Sequence, residues 1–244
     1  MKAANALRLT SLTLLVSLVV RPQWFEVVFA PLAPLGGPVM YERTSLLSLS
    51  LNHLGLVIAA SGAATLVAVA LAILVTRPAG AAFRPLARSI ANMGQTFPPV
   101  AVLALAVPSL GFGSGPTLVA LFLYGLLPIL ENAITGLTNL PRATMEAARG
   151  IGLSRWQSLT RVEIPLALPV ILTGIRLSVV IALGTATIGS TVAARTLGEV
   201  IIAGLLTNNT AFVLQGGLIV GLFAVLLYDA MVQIEDRIAH GARI

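Results

Sequence analysis

Residues 54–76 run for 23 positions without an Asp, Glu, Lys or Arg. As a helix rising about 1.5 Å per residue, such a run is about 35 Å long. That is enough to cross the ~30 Å hydrocarbon core of a bilayer. Apolar runs recur at 7–20, 90–107, 117–137, 168–191 and 211–234, the third interrupted by Pro98-Pro99. In hydrocarbon a backbone must satisfy its own polar groups, so runs of this length read as helices. The expectation is an all-α membrane protein with about six spans. The chain is 57% hydrophobic and 10% charged, against about 25% charge in a soluble domain. A soluble protein of this composition would leave too much apolar surface uncovered.

The pieces between the runs are equally readable. Lys2 and Arg8 flank the first run, which also has the form of a signal peptide with a weak cleavage site at Val28-Phe29-Ala30. Trp24, Phe25 and Glu26 suit an interfacial anchor. Residues 46–53 suit an interfacial helix before the second span. Arg77 to Arg88 is a basic loop, a Gly-rich turn covers 111–116, and the short apolar segment 197–206 is expected to dip back toward the membrane. With the N-terminus inside, Lys2, Arg8, Arg77, Arg84, Arg88, Arg142, Arg149, Arg155, Arg161, Arg237 and Arg243 fall inside, and Arg21, Arg43 and Arg195 outside. That bias obeys the positive-inside rule, implies an even number of spans, and places both termini in the cytoplasm. It also explains the net charge of +6 without nucleic acid. The chain has no cysteine, and His53 and His240 start no ligand pattern, so no metal site is expected.

The longest polar stretch, 138–165, lies on the inner side. Pro141 suits a helix start, and Arg142, Glu146 and Arg149 are spaced to pair along one face. Gly150 and Gly152 can adopt positive φ and stop that helix. Ser154 and Gln157 have capping-box spacing for a second one, which Pro165 is expected to end before Pro169 opens the next span. Ala147, Ala148 and Gly152 allow another backbone to approach, and Trp156 is a large anchor of the kind found at interface centres.

This loop resembles the coupling loop of ABC importer permeases, whose pattern is Glu-Ala-Ala, three residues, Gly, nine residues, then Ile-x-Leu-Pro. Glu146, Ala147, Ala148 and Gly152 match its first half; Val162, Ile164 and Pro165 match the second with aliphatic swaps. Within that family the chain is similar to the osmoprotectant branch, nearest the low-affinity glycine betaine systems. The likeness is carried by Gln95-Thr96-Phe97-Pro98-Pro99, the run from Leu123 to Leu130, Gly174-Ile175-Arg176, Gly184 to Ile188, Thr196-Leu197-Gly198 and Asn209-Thr210-Ala211. Glu131 departs from it, since neutral or basic residues are more usual there.

The resemblance implies a type I importer fold with a cytoplasmic coupling helix. It divides the chain into an N-terminal span and external loop (1–53), a permease core (54–236) and a cytoplasmic tail (237–244). It implies a bacterial inner-membrane subunit that transports glycine betaine-like quaternary ammonium compounds. The implied partners are ABC ATPase subunits, a second permease chain (identical or homologous) and an extracytoplasmic binding protein. ATP and magnesium would reside on the ATPase, because this chain has no Gly-x-x-x-x-Gly-Lys-[Ser/Thr] loop and no enzyme constellation. Glu146, Ala147, Ala148, Gly152, Ser154 and Trp156 would couple to that ATPase.

Polar residues at membrane depth, Gln95, Thr96, Thr185, Thr187, Ser190 and Thr191, are candidates to line the pathway, or else to pack helices. Glu131, Arg176 and Asp229 are intramembrane ionisable groups expected to form ion pairs, Arg176 with Glu131 or Asp229. The competing readings are an amino acid importer permease and an ATP-independent channel or carrier.

Overall fold

A computed structural model describes residues 2–241, with side chains described for 5–238. Helices account for 84% of the structure. They are α1 (Lys2–Val20), α2 (Glu26–Phe29), α3 (Leu46–Thr76), α4 (Arg84–Thr96), α5 (Pro99–Leu110), α6 (Ser114–Thr138), α7 (Arg142–Gly150), α8 (Arg155–Ser158), α9 (Ile164–Ile188), α10 (Gly198–Leu206) and α11 (Thr210–Gly241). Among the described residues four helices are long and apolar enough to cross a membrane, or up to six if two bent pairs each count as one span. The interfacial segment expected at 46–53 is instead the first two turns of α3, which runs unbroken for 31 residues.

Contacts group the chain into two units. One comprises 1–60, 98–121 and 180–229; the other comprises 61–97, 122–179 and 230–244. In the second unit, Ala64, Ala68 and Ala72 recur every four residues on α3 and are all buried. They form a smooth ridge against Ile129, Leu130 and Ala133 of α6. Lipid tails are as apolar as leucine, so helices here associate through close packing rather than water exclusion. Where α6 meets α9, a Cβ on Gly174 would lie 2.7 Å from the Pro128 carbonyl oxygen. Pro128 sits inside α6 and has no N–H to give the carbonyl of Tyr124 four residues earlier. Gln95 Nε2 donates to that carbonyl at 2.8 Å, and the Tyr124 hydroxyl donates to the carbonyl of Phe97.

In the first unit, Leu15, Leu18 and Val19 of α1 pack with Phe29, Leu49 and the outward half of α11 around Phe212 and Ile219. The segment 38–45 is strapped onto this core. Asn209 donates to the Pro38 carbonyl at 2.8 Å. Gln215 donates to Val39 O at 2.7 Å and accepts from Tyr41 N at 3.1 Å. The Tyr41 hydroxyl and the Thr44 hydroxyl both donate to Glu199 Oε1, at 2.6 and 2.8 Å. Asn209 Oδ1 also accepts from Phe212 N at 3.2 Å, which caps the start of α11.

Gly198 is the tightest point of this unit. A Cβ there would overlap the carbonyl of Thr187, whereas one on Gly217 would meet nothing within 4 Å. Gly198→Ala should therefore lower the apparent melting temperature in detergent by about 4 °C or more, the effect of an overpacked core position. Gly217→Ala should leave it unchanged. Equal melting of the two variants would show that the crossing has room.

Candidate functional site

The polar loop folds as two short helices at a glycine corner. Pro141 is the N-cap of α7 rather than its first residue, with φ −58° and ψ 124°. Arg142 Nε meets Glu146 Oε1 at 2.8 Å across one turn. After α7, Ile151 N donates to Ala147 O at 3.0 Å and Leu153 N to Ala148 O at 3.1 Å. Gly152 takes φ +78°, in the left-handed region that favours glycine. Gly150 stays helical, so of the two glycines only Gly152 is required by backbone geometry. Ser154 then caps α8 through a complete capping box. Gln157 N donates to Ser154 Oγ at 3.3 Å, and Ser154 N donates to Gln157 Oε1 at 2.9 Å.

The loop presents a defined surface. Ile151 and Trp156 are 76% and 71% exposed, large apolar side chains on a polar segment. Ala147 and Glu146 are exposed beside them. Ala148 corrects the expectation that it meets a partner: it is 4% exposed and faces its own unit. The reason is register, since Ala148 lies three residues from Met145, on the side of α7 turned toward the chain.

Pro165 does not end the second helix. Residues 159–163 form a π-helical turn that runs directly into α9, so the stretch from Arg155 to Val192 counts as one candidate span. Pro165 is the second residue of α9, where the wider turn before it makes its missing N–H tolerable. The polar loop is therefore helically continuous with α9.

Two residues outside the expected set hold this geometry. Glu163, 5% exposed, accepts from Arg77 Nη2 at 2.6 Å and from Ser158 Oγ at 3.1 Å. Arg77 lies just past the end of α3, so the pair clips the α3 end to the coupling loop. A cleft of about 650 Å³ lies beside the clip, lined by Arg77, Met145, Arg149, Trp156, Leu159 and Glu163. The sequence signal for Glu163 was available: a carboxylate two residues before a proline at the mouth of an apolar run must find a cation.

The other expected residues are spread over both units. Gln95 is committed to the Tyr124 carbonyl and Thr96 to Asn92 O. Thr187 and Thr191 bond back to Gly184 O and Ile188 O, each at 2.7 Å. Thr185 is half-buried on α9. Ser190 donates to Ala194 O at 3.1 Å and lies 2.7 Å from Thr196 Oγ1, where the helix breaks before α10. Thr196 in turn accepts from Gly198 N. His53, fully buried, bridges the same break: Nε2 lies 3.1 Å from Leu183 O, and Leu197 N donates to Nδ1 at 3.4 Å. That pairing fixes a neutral tautomer with the proton on Nε2. Each member of the ionisable trio has an ion-pair partner: Glu131 meets Arg88 at 2.9 Å, Arg176 meets Glu235 at 3.3 Å, and Asp229 meets Arg8 at 2.6 Å.

Residues 51–240 match the family described as the binding-protein-dependent transport system inner membrane component. The chain belongs to this family. It is 42% identical over 186 residues to the osmoprotectant import permease protein OsmY of Salmonella typhimurium, covering 76% of this chain and 79% of that one. It is 36% identical over 179 residues to the glycine betaine/carnitine/choline transport system permease protein OpuCB of Bacillus subtilis, covering 71% and 82%. Among solved structures, the permease superposes on an inward-facing form of the MetNI methionine ABC transporter with a TM-score of 0.67 at 20% identity. That match covers 82% of this chain and 99% of the other, and shows the shared fold.

Two outcomes test this geometry. Arg77→Met leaves Glu163 buried without a cation and should cost about 3 kcal/mol of stability. Arg77→Met combined with Glu163→Leu should recover most of that in thermal unfolding, because an apolar pair carries no desolvation cost. Outside the spans, the Tyr41 hydroxyl is pushed up to about 12 by burial first, then by the hydrogen bond and charge of Glu199. Its folded value lies above the unfolded 10.0. The stabilisation is thus whole below pH 10 and lost as pH rises through about 12. In an ultraviolet titration Tyr41→Phe should remove a late-ionising phase.

Proposed function

We propose that this permease imports osmoprotectants of the glycine betaine class across a bacterial cytoplasmic membrane, powered by a separate ATPase. The observation that carries the reading is the coupling loop: a left-handed glycine corner between two capped helices, exposing Ile151 and Trp156 and running without a break into α9. The printed names of the relatives, osmoprotectant and glycine betaine/carnitine/choline permeases, support the substrate class.

On this reading a pair of ATPase subunits binds ATP and magnesium and closes. Each grips the coupling loop of one permease chain, identical or homologous to its neighbour. An extracytoplasmic binding protein delivers the substrate to the opposite side, and both termini of this chain lie in the cytoplasm. Ile151 and Trp156 seat in the ATPase surface, and Glu146 with Arg142 forms a polar rim. Because α8, the π-turn and α9 are continuous, displacement of the loop moves a membrane helix as a rod. The Arg77–Glu163 clip carries the same displacement to α3. The permease itself hydrolyses nothing.

Gly152→Trp forces a bulky residue into positive φ and should uncouple the machine. In proteoliposomes holding the full complex, betaine uptake should fall while ATP hydrolysis and membrane insertion persist. Trp156→Ala should weaken the hold on the ATPase by about tenfold or more, as loss of an aromatic interface anchor does. Normal uptake by Gly152→Trp would remove the coupling role.

A further inference from the structure

In the first unit one cation without an ion pair among the described residues borders a cavity. Arg195 is exposed in the bend between the end of α9 and the start of α10, one residue after the left-handed corner at Ala193 (φ +64°) and Ala194. Among the described residues no carboxylate lies within ion-pair distance of it. Glu199, four residues further on, is engaged elsewhere, taking the hydroxyls of Tyr41 and Thr44.

Arg195 lines a cavity of about 580 Å³ together with Asn52, Gly55, Ser114, Ala193 and two leucines, Leu51 and Leu56. Ser114 is the first residue of the 25-residue α6, so the unpaired N–H groups and the positive end of that helix lie at the same lining. Gly55 leaves the α3 side open, since a Cβ there would meet nothing within 4 Å. The lining thus combines a guanidinium without an ion pair, an amide and a hydroxyl with aliphatic surface from Leu51 and Leu56.

We propose that this cavity is a transit station for the carboxylate of zwitterionic betaines, with Arg195 as the group that receives it. The inference rests on the osmoprotectant reading and refines its substrate class to compounds carrying a carboxylate as well as a quaternary ammonium. A guanidinium presents a planar fork that matches a carboxylate. Asn52 and Ser114 offer further hydrogen bonds to it. The quaternary ammonium needs no hydrogen bond and rests against Leu51 and Leu56. With no aromatic cage in the lining, the hold stays weak, as a transport path requires for release.

The test compares uptake of glycine betaine and choline, which lacks the carboxylate, by the full importer in proteoliposomes at concentrations that saturate the binding protein. Arg195→Gln should lower betaine uptake about tenfold, the effect of losing a charge-assisted hydrogen bond, and leave choline uptake unchanged. Betaine uptake should fall in the order wild type, Arg195→Lys, Arg195→Gln, Arg195→Glu. Gly55→Leu, which fills the cavity without a clash, should slow both compounds. Equal loss of both compounds in Arg195→Gln marks a contact between subunits and overturns the station, as does a betaine rate indifferent to the charge series. A wild-type complex that imports neither compound overturns the osmoprotectant reading itself, an outcome separable from these.

Discussion

Inside a bilayer no water is at hand to satisfy a backbone group freed by a broken helix, and this requirement shapes the whole chain. The protein interrupts its helices repeatedly, and at several of the interruptions a particular side chain takes over the lost bond. Pro128 frees the Tyr124 carbonyl and Gln95 supplies the donor. The break ahead of α10 is spanned by His53, which serves a carbonyl with one ring nitrogen and an N–H with the other. Asn209 caps α11 and at the same time holds the Pro38 strap. Ser190 and Thr196 close the corner between α9 and α10. Polar residues at membrane depth are thus bound up with keeping a discontinuous backbone solvent-free.

In the polar loop between α6 and α9 stiffness rather than solvation is the issue. On the proposed reading it transmits force, and such a loop must not bend at its root. The π-helical turn lets Pro165 sit in a continuous helix, and the buried Glu163 draws Arg77 and Ser158 onto one carboxylate. The chain turns at Gly152, in the left-handed region, between α7 and the capping box of α8. What is left exposed, Ile151 and Trp156, is the kind of apolar pair that a soluble partner can cover.

Much of this was legible in the residues because hydrophobic runs, prolines and capping boxes act locally. The six apolar runs, the Ser154–Gln157 box, the Arg142–Glu146 pair and the short apolar segment at 197–206 follow from spacing alone. The partners of Glu131 and Glu163 did not, because Arg88 with Glu131 and Arg77 with Glu163 are set by which helices cross. The inward face of Ala148 and the unbroken passage through Pro165 depend on packing and on a π-turn, neither of which has a sequence period. For Gln95 and Ser190 the residues left pathway lining and helix packing both open, because a lone polar side chain in an apolar run carries no mark of what it bonds to.

The central claim is that the corner formed by Ile151 and Trp156 is gripped by a nucleotide-hydrolysing subunit. The natural chain contains no cysteine, so one introduced at Ile151 is the only thiol it offers. The direct measurement is cross-linking of Ile151→Cys, with Leu35→Cys as an exposed control, in membranes holding the complete importer. The account predicts that the Ile151 thiol captures the ATPase subunit and the Leu35 thiol does not. An importer that transports normally while Ile151→Cys never cross-links to the ATPase would contradict it.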